Sequence, residues 1–116
     1  VTVDTTGGAG VASGTKRVGV GPAKLLSVVL DYHASAPATT DVTIASGGRT
    51  VFEKLNSATD STYHPRENAH KAADASAIPA GDNPWVKPVV LGDLSITVAQ
   101  CDALTAAVTV TLILEA

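Results

Sequence analysis

The sequence has few aromatic residues and no methionine. Only 3% of the 116 residues are aromatic, and Trp85 is the one tryptophan. A core of ordinary size must therefore come from the valine, leucine, isoleucine and alanine that make up most of the 45% hydrophobic fraction. Branched aliphatic side chains pack well on the pleated surface of a sheet. The composition favours a β-structured domain.

Cysteine and histidine are also scarce. The single Cys101 cannot form an internal disulfide, and the sequence implies no oxidising compartment. Structural zinc usually needs closely spaced Cys and His pairs, and none occurs. Asp31 and His33 share one face of a predicted strand and could converge on an ion with His64 or His70. Two polar residues on an outward face explain this pattern more simply, and we expect no metal and no cofactor.

Positive charge and long apolar runs are missing as well. The net charge is -3 and the pI is near 5.4, with Lys16-Arg17 as the only adjacent basic pair. Phosphate recognition depends on clustered Lys and Arg, and this distribution argues against a nucleic-acid partner. No apolar run reaches the roughly 18 residues of a membrane span, and residues 1–14 lack the basic-then-apolar order of a secretory signal. We expect no membrane partner.

Motifs of catalysis are missing too. Neither G-x-S-x-G nor G-x-x-x-x-G-K-[ST] occurs, and the glycines at 7–10 and 19–21 do not follow a strand and open a helix. Acid pairs such as Asp31 and Asp41, or Asp93 and Asp102, would suit a glycosidase, but sugar sites also need aromatic platforms. The sequence predicts that the protein is not an enzyme, and we assign no catalytic residue.

The sequence does have segments in which every second residue is apolar. Residues 24–33 place Leu26, Val28, Leu30 and Tyr32 on one face, which we predict to be the core face, and leave Leu25 outward. The same alternation continues in three later segments. Their inward positions are Val42 and Ile44; Leu94, Ile96 and Val98; and Val108, Val110, Leu112 and Leu114, with Ile113 outward.

Turn signals separate these segments. Gly47-Gly48 predicts a hairpin turn with a returning strand over 50–55, and Pro88 gives the 85–91 strand an edge position or a bulge. Seven or eight short strands without a long helix describe an all-β domain, a β-sandwich or jelly roll. Residues 15–116 would form this single domain, with 16–20 as its first strand.

Two segments fall outside the regular pattern. Residues 1–14 are small, polar and glycine-rich, and we predict an extended arm that is flexible in isolation and orders on a partner. Residues 56–84 predict a long irregular loop with a short helical turn around 66–75; loops of this length are usually functional.

These two segments hold the candidate partner-binding residues. Tyr, Trp and Arg dominate interface energetics, and the scarce aromatic residues lie in or beside the long loop. Trp85 and Tyr63 could equally cover one end of the sandwich. The predicted contacts are Val1, Thr2, Val3, Asp4, Thr5, Tyr63, His64, Pro65, Arg66 and Trp85.

Three segments carry a family resemblance: residues 30–44 (LDYHASAPATTDVTI), 62–66 (TYHPR) and 98–110 (VAQCDALTAAVTV). Together they resemble the capsid cement or decoration proteins of tailed bacteriophages, small β-sandwiches that staple neighbouring major capsid subunits. The likeness spans 24–116 and leaves the arm unmatched. Cys101 stands where the family would have a small turn residue, a departure that bears only on the turn geometry.

The resemblance implies a virion structural protein on the capsid exterior, made in the host cytoplasm. It would act as a homo-oligomer, a dimer or trimer, with the major capsid protein as its partner. The expected binding surfaces are the arm, the long loop and Trp85, and removing residues 1–14 should abolish capsid binding without unfolding the domain. The alternatives are a tail or head-fibre component, and a carbohydrate-binding module that uses Trp85 and Tyr63.

Overall fold

The computed structural model describes all of residues 1–116 and consists almost entirely of short antiparallel strands. The strands are β1 (Thr2–Val3), β2 (Ala12–Val18), β3 (Ala23–Tyr32), β4 (Asp41–Ser46), β5 (Arg49–Lys54), β6 (Ser61–Tyr63), β7 (Glu67–Asn68), β8 (Trp85–Val86), β9 (Val89–Val90), β10 (Leu94–Cys101) and β11 (Val108–Glu115). The one helix is a 3₁₀ turn, Ala80–Asp82, and no helix has the length and apolar character needed to cross a bilayer.

The strands form two main sheets and a small ribbon. One sheet has the order β1-β11-β3-β6, with β9 also paired to β3, and the other has the order β2-β10-β4-β5. β7 and β8 pair only with each other. The curled antiparallel sheets confirm the predicted all-β, sandwich-like fold.

The core lies between the two main sheets and is aliphatic, as the composition predicts. Val28, Leu30 and Val110 come from one sheet, and Ile44 and Ile96 from the other; all five are fully buried. Strict alternation produces this burial, because every second side chain of a strand points to the same face. Each such side chain contributes about 1.5–3 kcal/mol through its removal from water.

The alternation in β3 breaks at one residue. Ile113 of β11 lies opposite Ser27, but the next residue, Leu114, lies opposite Leu25, and so Leu26 has no partner. An extra residue of this kind is a β-bulge, and it reverses the faces of the residues beyond it. Leu25 is therefore fully buried and Leu26 only half-buried, which corrects the predicted faces of these two residues.

Residues 1–14 are part of the domain, and the prediction of a separate arm is wrong for this structure. β1 pairs with β11, and β2 begins at Ala12, inside the predicted arm. Val3 and Ala12 are buried in the core region and Thr5 is buried beside it. Composition does not predict this outcome, because three buried side chains, Val3, Thr5 and Ala12, are enough to anchor the segment.

Hydrogen bonds join this segment to the connection between β10 and β11. The Thr5 hydroxyl donates to the Asp102 carbonyl at 2.6 Å and accepts from the Leu104 N–H at 3.1 Å. The Asp4 carboxylate accepts from the Ala106 N–H at 2.7 Å, and the Asp102 carboxylate accepts from the Gly10 N–H at 2.8 Å. Four bonds across about a hundred residues of sequence hold the first and last parts of the chain together.

The region 56–84 is irregular but contains more pairing than predicted. β6 extends the first sheet, and β7 pairs with β8 to start a projecting lobe over 69–83. The predicted helical turn around 66–75 is reduced to one hydrogen-bonded turn, in which the Ala75 N–H donates to the Lys71 carbonyl at 2.8 Å, because Glu67–Asn68 is a strand. The radius of gyration is 15.4 Å, against about 13 Å for a compact chain of this length, and the molecule is elongated.

Candidate functional site

An open groove of about 390 Å³ surrounds the single tryptophan. Its walls come from the start of β3, from β8 and β9, and from the residue before β7. The lining side chains are Lys24, Arg66, Trp85, Val86, Lys87 and Val89, and we call this site the Trp85 groove. Trp85 is 55% exposed, although it is the only tryptophan in a chain with few aromatic residues.

Strand pairing and two prolines position the tryptophan. Trp85 lies opposite Asn68 and Val86 opposite Glu67 in the ribbon of β7 and β8. Pro84 and Pro88, on either side of this stretch, are both buried. Proline lacks an N–H and has a fixed φ, so each one both limits pairing and stiffens the chain. Lys87 and Pro88 thereby split the predicted 85–91 strand into β8 and β9.

Arg66 is fixed over the groove by its backbone acceptors. One guanidinium nitrogen, Nη1, donates to the Pro65 carbonyl at 2.6 Å and to the Leu26 carbonyl at 3.2 Å. Leu26 is the bulge residue of β3, and this bond uses a carbonyl that the bulge leaves free of regular pairing. The Nη2 and Nε donors of Arg66 form no bond within the protein.

The groove concentrates positive charge on an acidic protein. Lys24, Arg66 and Lys87 are three of the eight Lys and Arg residues of a chain with net charge -3, and no carboxylate lines the groove. Lys87 forms an ion pair with Glu115 at 3.3 Å, whereas the Lys24 side chain is exposed and unpaired. The local potential is therefore positive where the overall potential is negative.

Arg49 connects the ribbon to the rest of the domain. It lies at the start of β5, and its guanidinium bonds the Glu67 carboxylate at 2.8 Å and the Val89 carbonyl at 2.7 Å. Because Glu67 and Val89 belong to β7 and β9, one side chain fixes the elements on both sides of Trp85. The pair is partly exposed, so it contributes positioning more than stability.

Tyr63, His64 and Pro65 lead into the groove but do not line it. The Tyr63 ring packs against Phe52 with centroids 5.4 Å apart, and so it supports the edge of the core. His64 Nδ1 lies 2.7 Å from the Ser27 hydroxyl, its cross-strand neighbour. Of the predicted loop contacts, the structure brings together Arg66 and Trp85.

The Ser27–His64 contact resembles a nucleophile and its base in residue type alone. Ser27 is 7% exposed, and neither residue lines a cleft. No carboxylate bonds the second ring nitrogen of His64 to orient it, as a triad requires. The contact joins β3 to the residue that follows β6. It was not found in the sequence because its two residues lie 37 positions apart.

The first five residues lie apart from the Trp85 groove and share no lining residue with it. Val3 and Thr5 are buried, which corrects the prediction that their side chains contact a partner. Asp4 accepts its bond within the protein, and Thr2 pairs with Thr109. Only Val1 lines a cleft, an apolar one of about 290 Å³ between β2 and β11.

The remaining cleft lies at the Gly47-Gly48 turn. It is the largest, at about 450 Å³, but its lining is mostly small and includes one large apolar side chain, Leu91. Arg17 and Asp93 give it one charge of each sign. It has neither an aromatic anchor nor a clear charge preference, and we favour the Trp85 groove as the site.

The three histidines do not form a metal centre. His64 contacts Ser27, His33 accepts from the Ser35 N–H at 3.0 Å, and His70 forms an isolated bridge with Ala77. No group of three His, Cys, Asp or Glu side chains is arranged to hold an ion. Cys101 is fully buried and packs as a small apolar group.

Comparison with protein-family models, with curated proteins and with solved structures gave no match to this chain.

Proposed function

We propose that the protein is a capsid decoration protein of a tailed phage, which binds and staples major capsid subunits on the head exterior through its Trp85 groove. The observation that carries the proposal is a half-exposed tryptophan flanked by three cations on an otherwise acidic, sandwich-like domain. The resemblance of residues 30–44, 62–66 and 98–110 to the cement proteins supplies the biological context.

The groove has the chemistry of a protein interface. Tryptophan and arginine are the residue types that most often dominate binding energy, and here they line one concave surface beside two exposed valines. A dimer or trimer would present two or three such grooves to the regular capsid surface. Linked contacts raise the overall affinity well above that of one groove.

The N-terminal segment takes a different role from the one expected. Because Val3, Thr5 and Ala12 are buried in the domain, the segment supports the fold and the long-loop side of the molecule supplies the attachment. This moves the proposed capsid contact from residues 1–14 to the lining of the Trp85 groove.

Truncating the tryptophan tests the proposal. Trp85→Ala removes the main apolar anchor, and we expect the occupancy on purified capsid shells that lack the protein to fall by about tenfold or more. Occupancy is measured by sedimentation of shells with the bound protein. Leu55→Ala is the control, since Leu55 is 46% exposed outside the groove. Equal occupancy for wild type and Trp85→Ala would refute the proposed attachment site, and no binding of wild type would refute the function.

Two alternatives keep specific support. An exposed tryptophan in a shallow cleft also suits stacking on a sugar ring, and a glycan array with wild type and Trp85→Ala tests for a carbohydrate-binding module. A tail or head-fibre component would use the same fold and groove. Immunogold labelling of intact particles distinguishes it from a capsid protein by position.

A further inference from the structure

We propose that the Trp85 groove recognises an extended acidic segment of its protein partner, one in which carboxylates alternate with apolar side chains. This inference rests on the proposed function for the identity of the partner, but the chemistry of the bound segment follows from the groove alone. The capsid protein, or any other protein partner, would have to present such an acidic segment.

Charge selects an acidic ligand. Lys24, Arg66 and Lys87 line the groove, no carboxylate is among its lining residues, and Arg66 keeps two donor nitrogens free for a bidentate pair. Only Lys87 has a partner, Glu115, and that pair is long at 3.3 Å. A carboxylate arriving here would be attracted by Lys24 and Arg66, two cations without a carboxylate partner on a protein of net charge -3.

Backbone geometry selects an extended ligand. The Ala69 N–H bonds the Pro84 carbonyl at 2.8 Å, and in an antiparallel ribbon bonded pairs alternate with non-bonded pairs. The next pair, Asn68 and Trp85, is therefore non-bonded, and Trp85 directs its own N–H and C=O away from β7. β8 has no strand on that side, so an extended segment can pair there as in β-strand addition.

The apolar lining distinguishes a peptide from other polyanions. Trp85, Val86 and Val89 are 55%, 44% and 40% exposed, and together they offer a surface for apolar side chains between the carboxylates. A nucleic acid needs a longer track of cations along its phosphates, and three cations on a chain of net charge -3 do not supply one.

Trp85 fluorescence is the direct readout, because it is the only tryptophan in the chain. The purified full-length protein is titrated with a short synthetic peptide of alternating Glu and Val, and with a matched peptide of alternating Lys and Val. We expect a saturable blue shift of the Trp85 emission with the Glu-Val peptide only. The affinity should fall as ionic strength rises, because the Debye length decreases from about 10 Å at 0.1 M to about 3 Å at 1 M.

Charge reversal within and outside the groove gives the matched comparison. The double variant Lys24→Glu with Arg66→Glu should bind the Glu-Val peptide at least about tenfold more weakly than wild type. The control is Lys16→Glu with Arg17→Glu, which changes one exposed Lys and one exposed Arg by the same total charge on β2. We expect its affinity to stay within about twofold of wild type, since its charges lie outside the groove.

The single variant Lys24→Glu is titrated as well, so that the comparison still holds if the double variant misfolds. The Lys24 side chain is exposed and makes no bond within the protein, and its replacement should leave the fold intact. Circular dichroism confirms the fold of each variant. Equal binding of both peptides, equal losses in the groove and control variants, or a blue shift with an oligonucleotide or heparin but not with the Glu-Val peptide would each overturn the inference.

The test separates this inference from the proposed function. Selective binding of the Glu-Val peptide by a protein that does not bind capsid shells supports the groove chemistry and refutes the capsid role. Trp85-dependent capsid binding without any response to the Glu-Val peptide refutes the acidic segment and leaves the capsid role supported.

Discussion

Tyr32 places a hydroxyl group inside an aliphatic core. Its side chain is 6% exposed, and its oxygen has no hydrogen bond of acceptable geometry, although Ser57 lies nearby. Burial raises the pKa of Tyr32 above 10.0, the Ser57 side chain lowers it in part, and the nearby Tyr63, Asp60 and Asp41 raise it further. The phenol therefore stays neutral in the fold beyond the pH at which it ionises in an unfolded chain.

The raised pKa of Tyr32 makes the free energy of unfolding depend on pH in the alkaline range. A pKa raised in the folded state contributes stability that is complete below the unfolded value of 10.0 and is lost as pH rises through the folded value. We expect Tyr32→Phe to lose less stability than wild type between pH 9.5 and pH 11, a window set around that unfolded value. Urea unfolding at several pH values measures this, and parallel curves for the two proteins would contradict it.

At the scale of secondary-structure elements, Gly14 marks the place where the N-terminal segment packs closely on β2. A Cβ at position 14 would lie 1.9 Å from the Asp4 carbonyl oxygen and 3.0 Å from its carbon. Both atoms are backbone, so a clash there cannot be relieved by a side-chain rotation. Glycine is required at position 14 because residues 4 and 5 cross directly over it.

Gly14→Ala should therefore destabilise the protein by about 1–3 kcal/mol, the range for forced backbone shifts in a packed region. Gly21→Ala is the matched control, because a Cβ at Gly21 meets nothing within 4 Å. Denaturant midpoints for the two variants measure the difference. If Gly14→Ala were as stable as Gly21→Ala, residues 4 and 5 would not pack on β2 in solution.

The regular strands were predictable because alternation alone determines them. Val42 and Ile44 in β4, and Ile96 in β10, are buried as the alternation of apolar residues predicts. The bulge at Leu26 was not predictable, since it depends on the register of β3 against β11. Tertiary pairing of this kind leaves no local signal in the sequence.

The candidate site was predicted in part. Composition indicated Arg66 and Trp85, because rigid aromatic and guanidinium groups are rare in this chain and lie near an irregular region. Lys24 and Lys87 were missed, since only the pairing of β3 with β9 and of β7 with β8 brings them to the same groove. Val3 and Thr5 were wrongly assigned to a partner because their burial arises from contacts with residues about a hundred positions away.

At the scale of the whole molecule, residues 1–14 close one side of the sandwich. β1 covers part of the edge of β11, and Val1 exchanges bonds of 2.8 and 2.7 Å with Val110. Without these residues β11 would present an unpaired edge, and exposed edges of this kind promote association with other chains.

Deleting residues 1–14 should therefore unfold or aggregate the protein, in contrast to the intact domain expected from the sequence. The loss includes the burial of Val3, worth about 1.5–3 kcal/mol, and the bonds of Thr5, within a total stability of about 5–15 kcal/mol. Circular dichroism and size-exclusion chromatography measure the result. The control variant replaces the exposed residues 71–76 with Asn-Gly, which joins the bridged residues His70 and Ala77 by a two-residue turn, and it should remain folded. A variant without residues 1–14 that is folded and monodisperse would refute this prediction.

The pairing of β1 with β11 also sets an order of events during synthesis. β1 is synthesised about a hundred residues before its partner strand β11, and β3 must wait for the same strand on its other side. Chains dominated by such distant pairings fold slowly, in milliseconds to seconds, and expose sticky surface meanwhile. These two pairings therefore stay incomplete until translation has passed β11.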